Sequence, residues 1–218
     1  MPELLLDPDA QAHLERLGRP YRYPRGRLLF GEREPSDFAV YLRKGYVKIT
    51  VGGPNNIVGI RGPGEVVGEM AAIEKQPRTA GVYAMTEVDA VFVPAGEWID
   101  FVRHDWSFTQ SVLRLMGMRL REATRKQVEL GELAIEQRVA KSLSELAEMI
   151  GDREEKGVAV RISQAELAGL AGTTRESISR MLGKIWGDEI TLTGRQKIII
   201  RDQGKLAKIA SGELILSY

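Results

Sequence analysis

The chain has 218 residues, of which 43% are hydrophobic, and a formal net charge of +1. That length supports a sizeable core in one or two domains. The absence of cysteine excludes disulfides, cysteinyl iron–sulfur clusters and cysteine-based redox sensing, and so small a net charge leaves any nucleic-acid partner to be argued from local basic patches.

The start, MPELLLDPDA, has neither a basic n-region nor a long apolar core, so no secretory signal is expected. No run reaches about 18 apolar residues, so no membrane span is expected either. A cytoplasmic location follows by default.

From Tyr21 to Pro94 the sequence is rich in Gly and Pro and in strand-length apolar runs. These are Leu28–Phe30, Phe38–Leu42, Tyr46–Val51, Ile57–Ile60, Ala80–Ala84 and Ala90–Val93. Turn residues separate them at Arg43-Lys44-Gly45, at residues 52–56 and at Gly62-Pro63-Gly64. Many short strands at this spacing predict a small barrel or sandwich. Tyr41, Val47 and Ile49 sit in a stretch that alternates apolar and polar residues, as a half-buried hairpin does.

From about Asp105 to Leu133 the pattern becomes a proline-free helix. At 1.5 Å per residue, about 28 residues give a rod of roughly 42 Å. Met116, Leu120, Ala123, Gln127 and Leu130 alternate spacings of four and three, a heptad stripe. Such a stripe packs either on the chain's own β-region or on a second copy. The length favours a two-stranded coiled coil, with Gln127 as the polar position that fixes register. A second helix, Ile135 to Ile150, carries Val139, Leu143, Leu146, Ala147 and Ile150 on one face. Residues 151–157 then read as a polar loop.

The strongest local signal lies between Ser163 and Trp186. Ser163 followed by Glu166 is a capping box that opens a helix over Gln164–Ala171. Gly172 supplies a tight turn, and Thr173 or Thr174 caps a second helix over Arg175–Ile185. Ile178, Met181, Leu182 and Ile185 form its apolar face, while Arg175, Glu176, Ser179, Arg180 and Lys184 lie largely opposite. An arginine can pair bidentately with guanine O6 and N7, and a glutamate can accept from cytosine N4. Residues 189–200 read as a β-hairpin whose Arg195 and Lys197 would meet phosphates.

Residues 162–182 resemble the helix-turn-helix of the cyclic-AMP receptor protein/fumarate-nitrate regulator family, and the resemblance extends from about Tyr21 to Ile200. It implies an α+β protein with three parts. These are an N-terminal β-roll (a double-stranded β-helix of the cyclic-nucleotide-binding type) over 1–104, a long dimerisation helix and hinge over 105–134, and a C-terminal winged helix-turn-helix over 135–218. It further implies a homodimer joined through the 105–134 helix. The dimer would bind double-stranded DNA through Ser163, Thr174, Arg175, Glu176, Ser179, Arg180, Arg195 and Lys197. Arg175, Glu176 and Arg180 match the family positions that read TGTGA-type half-sites.

Within the β-region, Gly68-Glu69-Met70-Ala71-Ala72-Ile73 and Pro77-Arg78-Thr79-Ala80 are similar to the phosphate-binding cassette of cyclic-nucleotide-binding domains. Read bare, Arg78 and Glu69 are better explained by an internal ion pair in a β-turn region. The resemblance instead makes Gly68, Glu69, Ala71, Arg78 and Thr79 ligand positions. Arg78 would hold the cyclic phosphate and Glu69 the ribose 2′-hydroxyl. In receptors of this type the long helix gives adjacent Thr and Ser to the purine. Those places hold Ala123 and Thr124 here, so Thr124 alone can serve. Cyclic AMP is the first expectation for the effector. The alternatives are cyclic GMP, because some cyclic-GMP-selective relatives carry Thr at the Thr79 position, or another small effector. No prosthetic group is expected. The only histidines, His13 and His104, lie away from the β-roll's centre, where a haem ligand would be needed. Ala134 replaces the Asp that many relatives have after the hinge, so the expectation is either a hinge with a different response to ligand or an active form that exists without ligand.

No P-loop, metal cluster, Gly-x-Ser-x-Gly or cysteine nucleophile is present in the sequence, so no enzyme is expected. The competing expectation is a ligand-independent regulator with a vestigial pocket. RNA polymerase is a further candidate partner, through the 151–157 loop.

Overall fold

The structure is a computed structural model that describes residues 6–194 and 196–215. It divides into two compact units, Met1–Thr124 and Arg125–Tyr218.

In the first unit, Asp7 accepts from the Ala10 N–H over 2.7 Å and Pro8 takes the first helical position, which together open α1 (Pro8–Leu17). Eight strands follow: β1 (Arg19–Tyr23), β2 (Leu28–Phe30), β3 (Phe38–Lys44), β4 (Val47–Thr50), β5 (Ile57–Arg61), β6 (Val66–Val67), β7 (Gly81–Ala84) and β8 (Val88–Pro94). A short helix, α2 (Glu69–Glu74), sits between β6 and β7. The strands form two four-stranded antiparallel sheets, ordered β1-β8-β3-β6 and β2-β7-β4-β5. Helices α3 (Ala95–His104) and α4 (Trp106–Glu132) come next.

The period of two along a strand sorts β3 between two cores. Val40 and Leu42 join Phe30, Val47, Val82 and Val88 inside the roll. Ala39 and Tyr41 face the other way, into a layer built with Leu14, Trp98, Phe101, Phe108 and Val112 from the helices. Phe101 stacks on Phe108 at 3.9 Å, and Trp98 meets Phe108 edge-on at 5.0 Å. Around Tyr41 this corrects the half-buried hairpin: β3 is covered on both faces, because helices lie over the outer one. Sequence periodicity also missed α1, α3, β1 and β6. β6 has only two residues, and β1 is exposed along Arg19–Arg22 with only Tyr23 half-buried, so neither leaves a clear pattern.

In the second unit, α5 (Ile135–Ile150) is followed by β9 (Asp152–Glu154), β10 (Gly157–Val160), α6 (Gln164–Ala171), α7 (Arg175–Arg180), a π-helical turn at Met181–Ile185, α8 (Gly187–Ile190), β11 (Thr191–Gly194), β12 (Lys197–Ile200) and α9 (Gln203–Ser211). The strands make one antiparallel sheet ordered β11-β12-β10-β9. The supposed polar loop is therefore a tight β9–β10 hairpin, because its polar strand pairs with an apolar one, Gly157 opposite Glu154. The second helix of the motif also ends earlier than expected. Beyond Arg180 the backbone widens, and the Trp186 N–H reaches back to the Met181 carbonyl over 2.9 Å. Residues Glu189 and Ile190 belong to a helical turn, so the hairpin starts at Thr191.

Of the stripe on α4, Met116 packs against the first unit's own core, whereas Leu120, Ala123, Gln127 and Leu130 are exposed. Phe108, Ser111, Val112 and Leu115 of the same helix are buried. Leu120 is 69% exposed and Leu113, one heptad earlier, 57% exposed. Among the described residues no helix is long and apolar enough to cross a membrane, and no group of side chains could hold a metal ion.

Candidate nucleotide pocket and DNA-reading surface

A cavity of about 170 Å³ opens between the sheets of the first unit. Gly68, Glu69, Ala71, Arg78 and Thr79 all line it. The positions chosen from sequence thus converge, with one exception. Thr124 does not line the cavity, and its hydroxyl donates to the Leu120 carbonyl of its own helix over 2.9 Å.

Arg78 is only 2% exposed. Its backbone is pinned to the 31–34 turn: the Arg78 N–H donates to the Glu34 carbonyl, and the Arg33 N–H donates to the Arg78 carbonyl. Its Nη1 donates to the Gly68 carbonyl and its Nη2 to the Phe38 carbonyl, each over 2.8 Å. The guanidinium also lies 4.0 Å from the ring centre of Phe30 and 4.3 Å from that of Phe38. Its buried Nε has no hydrogen-bond partner. Burial lowers the guanidinium's pKa, and Asp37, Glu34 and Glu69 pull it back up. A guanidinium remains charged through such a shift. The result is a desolvated cation with donor capacity to spare. Gly68 makes it possible. Its φ is +79°, and a methyl group on its Cα would overlap Arg78 Nη1.

The Arg78–Glu69 ion pair that the bare sequence allowed is not what forms. Glu69, 2% exposed, is held by Arg119 of α4, whose Nη1 lies 2.6 Å from Oε1. Arg119 also donates to the Val66 carbonyl. Arg61 of β5 is a third guanidinium on the cavity wall, with Phe30, Ile49 and Val82 supplying apolar surface. Neither Arg61 nor Arg119 was among the ligand positions expected from the sequence. Neither has a local motif. His13 and His104 line a separate cleft beside α1 and α3.

In the second unit, Ser163 caps α6 in full reciprocity. Its Oγ accepts from the Glu166 N–H over 3.1 Å, and its own N–H donates to Glu166 Oε2 over 2.9 Å. Gly172 ends α6 at φ +63°, and Thr174 caps α7 by accepting from the Ser177 N–H over 3.2 Å. These caps present Arg175, Glu176, Ser179 and Arg180 to solvent while Ile178, Met181 and Leu182 are buried. Lys197 begins β12 and contacts Glu154 of β9 at 2.8 Å. Arg195 lies outside the described residues. Arg138 of α5 braces the motif: it donates to the carbonyls of Ala171 (2.9 Å) and Gly172 (3.3 Å) at the turn, and to that of Leu133 (2.6 Å).

A β-roll with a cationic, glycine-gated cavity and a winged helix-turn-helix define a DNA-binding regulator with a cyclic-nucleotide-binding domain. Residues 20–105 match the cyclic nucleotide-binding domain family, and residues 137–209 match the Crp-like helix-turn-helix domain. The chain is 31% identical over 216 residues, 94% of each chain, to the CRP-like cAMP-activated global transcriptional regulator of Mycobacterium tuberculosis. It is 28% identical over 87% of each chain to the cyclic AMP receptor protein of Thermus thermophilus. Its fold is similar to that of the global regulator CLP of Xanthomonas campestris, with a TM-score of 0.77 at 23% identity over 90% of this chain and 100% of that one. The chain belongs to the Crp/Fnr family of transcriptional regulators.

Proposed function

We propose that this regulator is gated by a purine 3′,5′-cyclic nucleotide, cyclic AMP first, bound in the β-roll cavity. The buried Arg78 carries the reading: its Nε lacks a partner, and a cyclic phosphate supplies the anionic acceptor that a desolvated guanidinium favours. Thr79 adds a hydroxyl and an N–H, Ala71 a small wall, and Glu69 an acceptor for the ribose. The Mycobacterium and Thermus relatives, named for cyclic AMP, support the same choice. Cyclic GMP is the second reading, resting on Thr79.

In this reading residues 1–104 sense the effector, 105–134 form the dimer helix and hinge, and 135–218 read DNA. The exposed Leu113 and Leu120 supply the start of the seam. Two recognition helices about 34 Å apart would meet a palindromic TGTGA-type operator. Arg175, Glu176 and Arg180 would read bases. Ser163, Thr174, Ser179, Arg195 and Lys197 would hold the backbone. Effector and DNA then strengthen each other's binding by the same factor.

Calorimetric titration with cyclic AMP and cyclic GMP, followed by a mobility shift on a TGTGA palindrome, tests this. Binding that raises DNA affinity supports it. Full DNA affinity without any nucleotide binding would make the pocket a relic and overturn the gating.

A further inference from the structure

The phosphate and ribose have contacts in the cavity, but the base has none assigned. Ala123 carries no polar side-chain atom, and the Thr124 hydroxyl is turned to its own helix. The polar group nearest to this role is Arg61, at the end of β5, which lines the same cavity as Arg78.

Arg61 Nη1 donates to Glu122 Oε2 of α4 over 3.0 Å, and its Nε lies 3.6 Å from Glu65 Oε2. A further bond to the Ile60 carbonyl, 2.7 Å, fixes the guanidinium against its own strand. The Arg61 side chain is 13% exposed and that of Glu122 43%. Arg61 therefore stands at the cavity wall as a fixed donor, and Glu122, which does not itself line the cavity, is the acceptor paired with it from α4.

That pattern matches one purine edge. Adenine offers N7 as acceptor beside the N6 amino donor, the edge that amide side chains read with one donor and one acceptor. Guanine offers two acceptors, N7 and O6, which suit an arginine acting alone. With Glu122 in place, guanine O6 would face a carboxylate. We infer that Arg61 and Glu122 read the effector's base together, Arg61 donating to N7 and Glu122 accepting from the N6 amino group, so that adenine is selected over guanine. The inference rests on the cyclic-nucleotide reading of the cavity.

The test is calorimetric titration of the full chain, wild type, R61M and E122A, with cyclic AMP and cyclic GMP, alongside thermal melts to show that each variant is folded. Wild type is expected to prefer cyclic AMP. E122A frees Arg61 to take O6 and N7 together and shifts the affinity ratio towards cyclic GMP by about tenfold, the scale of one bidentate base contact. R61M weakens cyclic AMP by about tenfold on the same scale. If both variants keep the wild-type ratio, or if wild type prefers cyclic GMP, the base readout is overturned while the cyclic-nucleotide reading stands. If wild type binds neither nucleotide, both fall together.

Discussion

Arg119 of the long helix closes on Glu69 at 2.6 Å, and this contact fastens the start of α2 to α4. Both partners are largely shielded: their side chains are 19% and 3% exposed. Removing one partner strands a buried charge. Arg119→Met is therefore expected to destabilise the first unit by about 3–5 kcal/mol. The double variant with Glu69→Gln should recover most of that loss. Urea denaturation followed by far-UV circular dichroism reads both, and equal midpoints for single and double variants would sink the argument.

Gly68 and Arg78 form the second testable pair. Gly68→Ala forces a methyl group onto Arg78 Nη1 and an unfavourable φ of +79°. Backbone strain of this kind costs about 1–3 kcal/mol. Arg78→Lys keeps the charge but loses the fork that serves the Gly68 and Phe38 carbonyls at once. Cyclic AMP affinity measured by calorimetry should drop by about 1.5–3 kcal/mol, the worth of a charge-assisted hydrogen bond. An unchanged affinity would remove Arg78 from the binding site.

Lys197 and Glu154 make opposite demands on DNA. Their ion pair holds a prospective phosphate contact beside a carboxylate. Glu154→Gln should strengthen operator binding and steepen its salt dependence by about 0.9 in log–log slope, one phosphate's worth. Arg175→Ala should act differently, costing about 1–3 kcal/mol and relaxing preference at one base pair. Mobility shifts over a salt series and a binding selection separate the two effects. A uniform loss across sequences for Arg175→Ala would assign it to the backbone instead.

Leu130 lies against Gly172, where a methyl group at φ +63° would overlap its side chain. Gly172→Ala should therefore weaken operator binding by displacing the turn that sets α7. Leu130→Ala in the same chain should relieve the overlap though not the φ strain. A double variant no better than the single would show that strain alone governs the turn.

The Tyr23 hydroxyl is pushed up from 10.0 to about 12, chiefly by burial and further by Tyr21 beside it. The unfolded chain then loses this proton first as pH rises. The contribution of Tyr23 to stability is therefore expected to be constant below pH 10 and to fall between there and about 12. Tyr23→Phe should flatten that part of the alkaline decline in Tm. Equal slopes for the two proteins would contradict the assignment.

Much of this protein is written locally. Ser163 and Glu166 are three residues apart and cap each other wherever the chain goes. Gly172 is the residue type that a left-handed turn requires. The proline-free run beyond Asp105 has one regular solution, a helix. Such features depend on near neighbours, so the sequence determined them: the helix-turn-helix, the long helix, the strand-rich N-terminal region and the Gly-Glu and Arg-Thr segments. Contacts between distant segments were decided only by the tertiary structure. Nothing near Arg119 in the chain announces Glu69, fifty residues earlier, and nothing near Arg61 announces Glu122. The same holds for Tyr41, whose alternating pattern hid a strand covered on both sides. Burial depends on what folds over a strand, and the π-turn after Arg180 depends on how Met181 and Trp186 seat in the core. A sequence specifies the local minimum at each position. Which charges end up facing each other in a low-dielectric cavity is fixed by the assembled sheets and helices, because only their packing removes the water that would otherwise satisfy each charge alone.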